Sequence, residues 1–377
     1  VWRLAGVDFA LKTVMGRGGR GASHVRTVRR RSRDIEALYR RSVKTVTTDQ
    51  DDLEPLDPKT GTKLFLEHKA TDCTDSTVQN HRYRMKHFLE WCDEEDIDNL
   101  NDLSGRDIQR YRLWLADDDD INALTMKNMM SGFRVFLKWA GSVEAVPESL
   151  YSKLMIPRVR RSQQSSEKIL EAERAEKLLA YLSRYEYASM HYVLLAFLWE
   201  TGMRMGAAYS VDLTDVNFDE KRVELVHRPE QGTTLKNGKS GERFVAMSAE
   251  VTELLKDHVD TFRYDITDEY GREPLLTTEH GRMCRGTLRR KINKITAPCY
   301  IDEPCPDCNR GIERKCAEAV SPHAIRRGSI THFLTEDVPI DVVSDRMNVS
   351  RKVLDKHYDK RSAEVKLEQR RGYLDEI

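Results

Sequence analysis

From Val78 to Ala140 the apolar residues recur at helical spacing, in three stripes separated by polar breaks. In the first stripe Val78, Met85, Phe88, Leu89 and Cys92 follow one another at steps of seven, three, one and three, and only an α-helix turns that set toward a single core. The second stripe holds Ile108, Tyr111 and Leu115 behind Ser104, and the third holds Met129, Phe133, Phe136, Leu137 and Ala140. Ser76 or Thr77 can cap the first helix and Ser104 the second, because a hydroxyl there accepts from an otherwise unpaired backbone N–H. An all-helical domain over 60–145 is expected.

The stretch 141–168 holds Pro147 and Pro157 and runs through Arg-Val-Arg-Arg-Ser-Gln-Gln-Ser-Ser without apolar period, so a linker is expected at 146–168. A second domain, 169–377, opens with a helix at 171–184 and a core helix through Tyr192–Trp199 that ends at Thr201-Gly202. Short strands at 216–218, 222–227 and 243–247 form a small antiparallel sheet, and helices follow at 249–263, 285–295, 322–335, 338–347 and 351–359. The expected class is α+β: mainly α with a small antiparallel β-sheet. Residues 1–59 read as a basic extension, partly disordered or arm-like, with a helix at most around 31–45.

A length of 377 residues suits two or three domains. The longest apolar run, Tyr192–Trp199, is far below the ~18 residues of a membrane span, so no membrane is expected. Val1–Phe9, broken by Arg3 and Asp8, does not read as a signal peptide; the expected location is the cytoplasm. Net charge is zero, yet of 62 basic and 62 acidic residues, 12 and 3 lie in 1–45, which leaves 50 and 59 for the rest. The cluster Arg29, Arg30, Arg31 and Arg33 suits nucleic-acid phosphate, where counterion release drives binding, and equally a solvated tail. On the helices of 60–145 the outward positions include Arg82, Arg84, Lys86, Lys127, Arg134 and Lys138, candidates to line a DNA groove or simply a solvated face.

No Gly-rich phosphate loop, His-Glu-x-x-His or Gly-x-Ser-x-Gly is present, which removes the usual supports of nucleotide hydrolysis, zincin and α/β-hydrolase chemistry. What stands out is a widely spaced set: Arg204 after the core helix, Lys236 between two strands, His323 and Arg326 in Pro-His-Ala-Ile-Arg-Arg, and Tyr358 in Asp-Lys-His-Tyr-Asp. Displacement at a phosphodiester builds charge on two non-bridging oxygens, which arginine forks hold bidentately without deprotonating. A lysine crowded by cations can protonate the leaving 5′-oxygen near neutral pH. A tyrosine hydroxyl can attack phosphorus and store the bond energy as a phosphotyrosine. His323 lies one helical turn before Arg326 and shares its face.

This ordered set, with Thr201-Gly-Met-Arg204, His323-x-x-Arg326 and Tyr358 near the C-terminus, resembles the catalytic domain of tyrosine recombinases, the phage-integrase family of site-specific DNA recombinases. The segments Phe88-Leu-Glu-Trp91, Leu103-Ser-Gly-Arg-Asp-Ile108 and Phe136-Leu-Lys-Trp-Ala140 are similar to that family's helical, SAM-like core-binding domain. The resemblance implies two domains clamping double-stranded DNA, a 3′-phosphotyrosine intermediate with a free 5′-hydroxyl, no metal or nucleotide cofactor for the chemistry, and a homotetramer on paired sites. Three departures accompany it. The family's Gly-His pair about nine residues before the tyrosine corresponds to Arg346-Met-Asn-Val-Ser350, which makes Asn348 the expected occupant of the histidine's place. Arg327 stands where a histidine is common and is expected to contact the DNA backbone. Lys239 competes with Lys236 as the acid, and Lys236 is preferred as the residue ending the strand before the turn. The insertion at 299–316 carries Cys299, Cys305, Cys308 and Cys316, which can close a structural Zn²⁺ site or remain thiols. Competing readings are a DNA-binding protein of the same fold with weak or no catalysis, a type IB topoisomerase-like DNA-relaxing enzyme, and a zinc-stabilised interaction module.

Overall fold

A computed structural model of the protein describes residues 53–160, 168–305, 316–354 and 361–372. The expected helix around 31–45, the basic cluster at Arg29–Arg33, Cys308 and Tyr358 lie outside the described residues. The chain divides into two compact units, Val1–Gln164 and Ser165–Ile377. Among the described residues no helix is long and apolar enough to cross a membrane.

The first unit is built from α1 (Pro58–Asp72), α2 (Asp75–Glu94), α3 (Gly105–Ala116) and α4 (Ala123–Ser142). Helix α1 was not visible as a stripe: it buries only Pro58, Gly61, Thr62 and Phe65, and its start is set by Pro58 at the first position and by Asp57, which accepts from Thr60 N at 2.9 Å. Helix α2 begins earlier than expected, with Thr74 rather than Ser76 or Thr77 at its N-cap. Ser104 caps α3 in a reciprocal box with Asp107, and Asn122 accepts from Leu124 N and Thr125 N at 3.0 Å to open α4. The stripes meet in one aromatic core. Phe88 contacts Phe133, Phe136 and Tyr111 with centroids 4.8, 5.4 and 5.7 Å apart, at separations where ring edges and faces attract. Ala145, Val146, Leu150 and Leu154 are buried in the same core, so the segment expected to be linker is packed as far as Leu154; its prolines flank a 3₁₀ turn, Leu150–Lys153.

In the second unit α5 (Ala172–Tyr185) precedes α6 (Met190–Thr201), which is buried all round from Val193 to Trp199. Gly202 ends α6 at φ +55°, and a Cβ there would stand 2.6 Å from Met347 Sδ; this tight left-handed stop turns the chain into α7 (Met205–Ser210). A three-stranded antiparallel sheet follows, β1 (Val216–Asn217), β2 (Arg222–Leu225) and β3 (Arg243–Ala246), in order β1-β2-β3 with Val223 opposite Val216 and Val245. Then come α8 (Ala249–Thr261), a hairpin of β4 (Thr277–Thr278) and β5 (Gly281–Arg282), α9 (Arg285–Ile295), α10 (Pro322–Thr335), α11 (Ile340–Arg346), α12 (Arg351–Val353) and α13 (Ala363–Gly372). The architecture is mainly helical with small antiparallel sheets. Gly328 admits no side chain, since a Cβ would fall 1.9 Å from the carbonyl oxygen of Leu170; that contact seats α10 against the start of the unit.

The long β2–β3 connection is fixed at its first half by a compact charge network. Asp212 and Asp215, 2% and 6% exposed, meet Arg228, which donates to Asp215 Oδ2 at 3.0 Å. Arg272 donates to Thr233 Oγ1 at 2.9 Å and Gln231 O at 2.8 Å, and pairs with Asp212 and Asp268 at 3.3 and 3.1 Å. Arg282 bridges Asp212, Asp268 and the carbonyl of Tyr209 in α7. Hydrogen bonds from Arg282 and from backbone amides hold Asp268 at about 2, against its burial.

Candidate active site

Four separate segments of the second unit converge on an open cleft of about 470 Å³ whose lining includes Arg204, Lys236, Arg289, Ser321, His323 and Arg326. Arg204 occupies the N-cap of α7, directly after the Gly202 turn. His323 and Arg326 come from the first turn of α10, started by Ser321 and Pro322. Arg289 comes from α9. Among the described residues four cations and no carboxylate line the cleft, an arrangement that draws in an anion.

The two arginines are held by backbone carbonyls. Arg326, 1% exposed, donates to Met347 O at 2.8 Å and to Gly202 O; Arg204 donates to Asn348 O at 3.2 Å. These acceptors fix the guanidinium planes. Partial burial, then Arg327, Arg326, Arg204 and Lys236, push the His323 imidazole down to about 4, so at neutral pH it is an uncharged hydrogen-bonding group rather than a fifth cation. Arg243, at the start of β3, donates to Arg346 O at 2.8 Å and Gly241 O at 2.9 Å; burial and neighbouring Arg204 pull its guanidinium down to about 10. Lys236 is exposed, and among the described residues its ammonium has neither hydrogen-bond nor ion-pair partner. β2 ends at Leu225, well before Lys236, which therefore does not end a strand; it sits in a turn ahead of the 3₁₀ segment Gly238–Gly241. Lys239 belongs to that segment and is not part of the cleft lining.

Residues 168–363 match the phage integrase family, and residues 63–142 match its N-terminal SAM-like domain. The chain belongs to the phage integrase family. It is 22% identical over 274 residues to tyrosine recombinase XerC of Corynebacterium glutamicum, covering 72% of this chain and 77% of that one. It is 21% identical over 277 residues to tyrosine recombinase XerD of Vibrio cholerae, covering 71% and 80%. In fold it is similar to a lambda integrase dimer bound to a COC′ core site (TM-score 0.59, 11% identity, 81% of this chain and 78% of that one). It is likewise similar to the Tn1549 transposon integrase in complex with transposon right end DNA (TM-score 0.59, 12% identity, 85% and 99%). As a phage integrase family member the chain is a DNA-cleaving and rejoining enzyme of the tyrosine recombinase kind.

Within this integrase-family fold the residues expected at the site separate into groups. Arg204, Lys236, His323 and Arg326 share the cleft. Asn348 does not line it. Its φ of +47° is the left-handed conformation that glycine and asparagine adopt most readily. The next residue, Val349, is 5% exposed in an apolar cluster with Ile330, Leu334 and Val343. Arg327 is 8% exposed and donates toward Lys168 O at 3.5 Å, enclosed in protein rather than open to a DNA backbone. Arg289 and Arg243 were missed; the basic face of the 285–295 helix was the available signal for Arg289.

In the first unit Arg82, Lys86 and Lys138 are exposed, with Lys86 paired to Glu90 at 3.3 Å. Lys127 is half-buried. Arg84 is also half-buried, its stem lying over Gly132 of α4, and Arg134 donates to Leu154 O at 2.5 Å. Arg84 and Arg134 thus brace the helical unit rather than standing free on its surface. Cys305 and Cys316 have their sulfurs 3.3 Å apart, and Cys299 is half-buried in the 3₁₀ turn Pro298–Ile301. Among the described residues no group of three or more metal-ligating side chains is assembled.

Proposed function

We propose that this chain is a site-specific recombinase that cuts and rejoins double-stranded DNA through a phosphotyrosine. The observation that carries the reading is the cleft in which Arg204, Lys236, His323 and Arg326 face one volume, with no carboxylate in its lining among the described residues. Arg204 and Arg326 grip the non-bridging oxygens of the scissile phosphate, with Arg289 beside them, and stabilise the charge that grows there in the transition state. The Tyr358 hydroxyl loses its proton to solvent as its oxygen attacks phosphorus, the P–O5′ bond breaks, and Lys236 gives a proton to the departing 5′-oxygen and is reprotonated from solvent. His323, neutral in the free enzyme, hydrogen-bonds the same phosphate. Reversal by a partner strand's 5′-hydroxyl restores a phosphodiester without an external energy source. The exposed Arg82, Lys86 and Lys138 hold the duplex backbone, and a homotetramer on paired sites carries out strand exchange.

Neither metal nor nucleotide enters these steps. Cys299, Cys305, Cys308 and Cys316 keep both readings, thiols or a structural Zn²⁺ site; among the described residues Cys299 is not gathered with Cys305 and Cys316. The function is tested by incubating wild type and Tyr358→Phe with a nicked duplex spanning a native recombination site. A denaturation-resistant protein–DNA adduct from wild type alone supports the reading, and binding without adduct overturns it.

A further inference from the structure

The turn joining α11 to α12 touches three of the segments that build the cleft. Through its backbone, the Met347 and Asn348 carbonyls accept from Arg326 and Arg204 at 2.8 and 3.2 Å. Its one polar side chain aimed at the β2–β3 connection is that of Asn348, and it is bonded there in both directions. Asn348 Oδ1 accepts from Asn237 Nδ2 at 2.9 Å, and Asn348 Nδ2 donates to Ser240 O at 3.2 Å. Asn237 is the residue after Lys236.

We propose that Asn348 is a positioning residue for the lysine general acid: its amide fastens the Lys236 turn in register with the arginine pair. The inference rests on the recombinase reading and assigns Asn348 a role away from the phosphate. The connection 226–242 is anchored at its first half by Arg228 and Arg272; in its second half Leu235 and Gly241 are buried and Leu235 N donates to His227 Nδ1 at 3.0 Å, while Lys236, Asn237, Lys239 and Ser240 are exposed. Lys236 itself has no partner among the described residues, so nothing on its own side chain fixes where its ammonium goes. A general acid acts only within hydrogen-bond reach of the atom it protonates, and loss of that placement costs rate even when the group remains. Asparagine suits the position twice: it tolerates the left-handed φ of +47° that presents the carbonyls to the arginines, and it offers one acceptor and one donor to the loop.

The test separates acid placement from phosphate grip. Asn348→Gly keeps the left-handed turn and its carbonyls but removes the amide; Asn237→Ala removes the same bond from the exposed partner. Each is assayed for covalent adduct formation in single turnover on two duplexes, one with the ordinary 5′-oxygen at the scissile phosphate and one with sulfur in its place. In both, the Tyr358 oxygen–phosphorus bond forms and the bond to the 5′ atom breaks. The oxygen leaves with the Lys236 proton, whereas sulfur leaves as a thiolate and needs none. We expect both variants to be slowed about 10- to 100-fold on the oxygen duplex, within the span of a general-acid contribution, and to lie within about threefold of wild type on the sulfur duplex. Lys236→Ala shares that pattern, and Arg326→Gln is slow on both. Equal slowing of Asn348→Gly and Asn237→Ala on the two duplexes, or no slowing on either, overturns the inference. A wild-type chain inert on both overturns the recombinase reading itself.

Discussion

The two units solve different problems with different chemistry. In the first, Phe65, Phe88, Trp91, Tyr111, Phe133 and Phe136 are at most 1% exposed and touch one another; order comes from packing aromatic volume. In the second, the contacts described around the cleft join arginine side chains to backbone carbonyls, and order comes from hydrogen bonds. Burial by packing tolerates changes that conserve volume. A cleft built on guanidinium groups tolerates almost none, because each one removed leaves its carbonyl acceptors bare.

The largest expected effect breaks the first unit alone. Phe136→Ala, at the centre of the aromatic core, is expected to cost about 3–5 kcal/mol of stability. A thermal melt will show this as loss of the first unit's transition, and folded protein should retain its cleft. The reciprocal change is Arg326→Gln, for which we expect adduct formation to fall about 10²- to 10³-fold, the scale of one lost transition-state donor. If Arg326→Gln leaves the rate unaltered, the contrast between the units collapses. Gly328→Ala tests the seat of α10: with a Cβ 1.9 Å from Leu170 O, calorimetry should register a loss of about 1–3 kcal/mol, as overpacking predicts.

The smallest effect concerns protons. His323 in the fold sits at about 4 against an ordinary 6.5, so the unfolded chain binds its proton more tightly. The stability this gives is complete above pH 6.5 and is lost as pH falls toward 4. NMR titration of His323 in free protein should place its midpoint well below 6.5, and a bound phosphate should raise it. A midpoint at 6.5 in the free protein would show that neither burial nor the neighbouring cations act on it.

The contrast also explains what could be read in advance. Helices α2, α3 and α4 announced themselves because each turn repeats an apolar position, and 285–295 was placed at its observed bounds for the same reason. Helix α1 escaped because Phe65 is its only large side chain in the core, leaving Asp57-Pro58 as the sole signal. The packing of Leu150 and Leu154 was hidden behind Pro147 and Pro157, which read as linker residues. At the site, residue chemistry and order were enough to gather Arg204, Lys236, His323 and Arg326, but not to place Asn348, whose amide bonds the lysine turn instead of lining the cleft. The Asp212–Asp215–Asp268 network was silent because its members are scattered over the chain without period.

That network sets how the enzyme will respond to its medium. Three carboxylates and three guanidinium groups largely withdrawn from solvent are screened little by dissolved ions, whereas contacts between surface lysines or arginines and DNA phosphates weaken steeply as counterions are added. Raising ionic strength should therefore loosen the enzyme's hold on DNA long before it loosens the base of the lysine loop, so concentrated salt will reduce how often a site is occupied while sparing the turnover of those sites that remain filled.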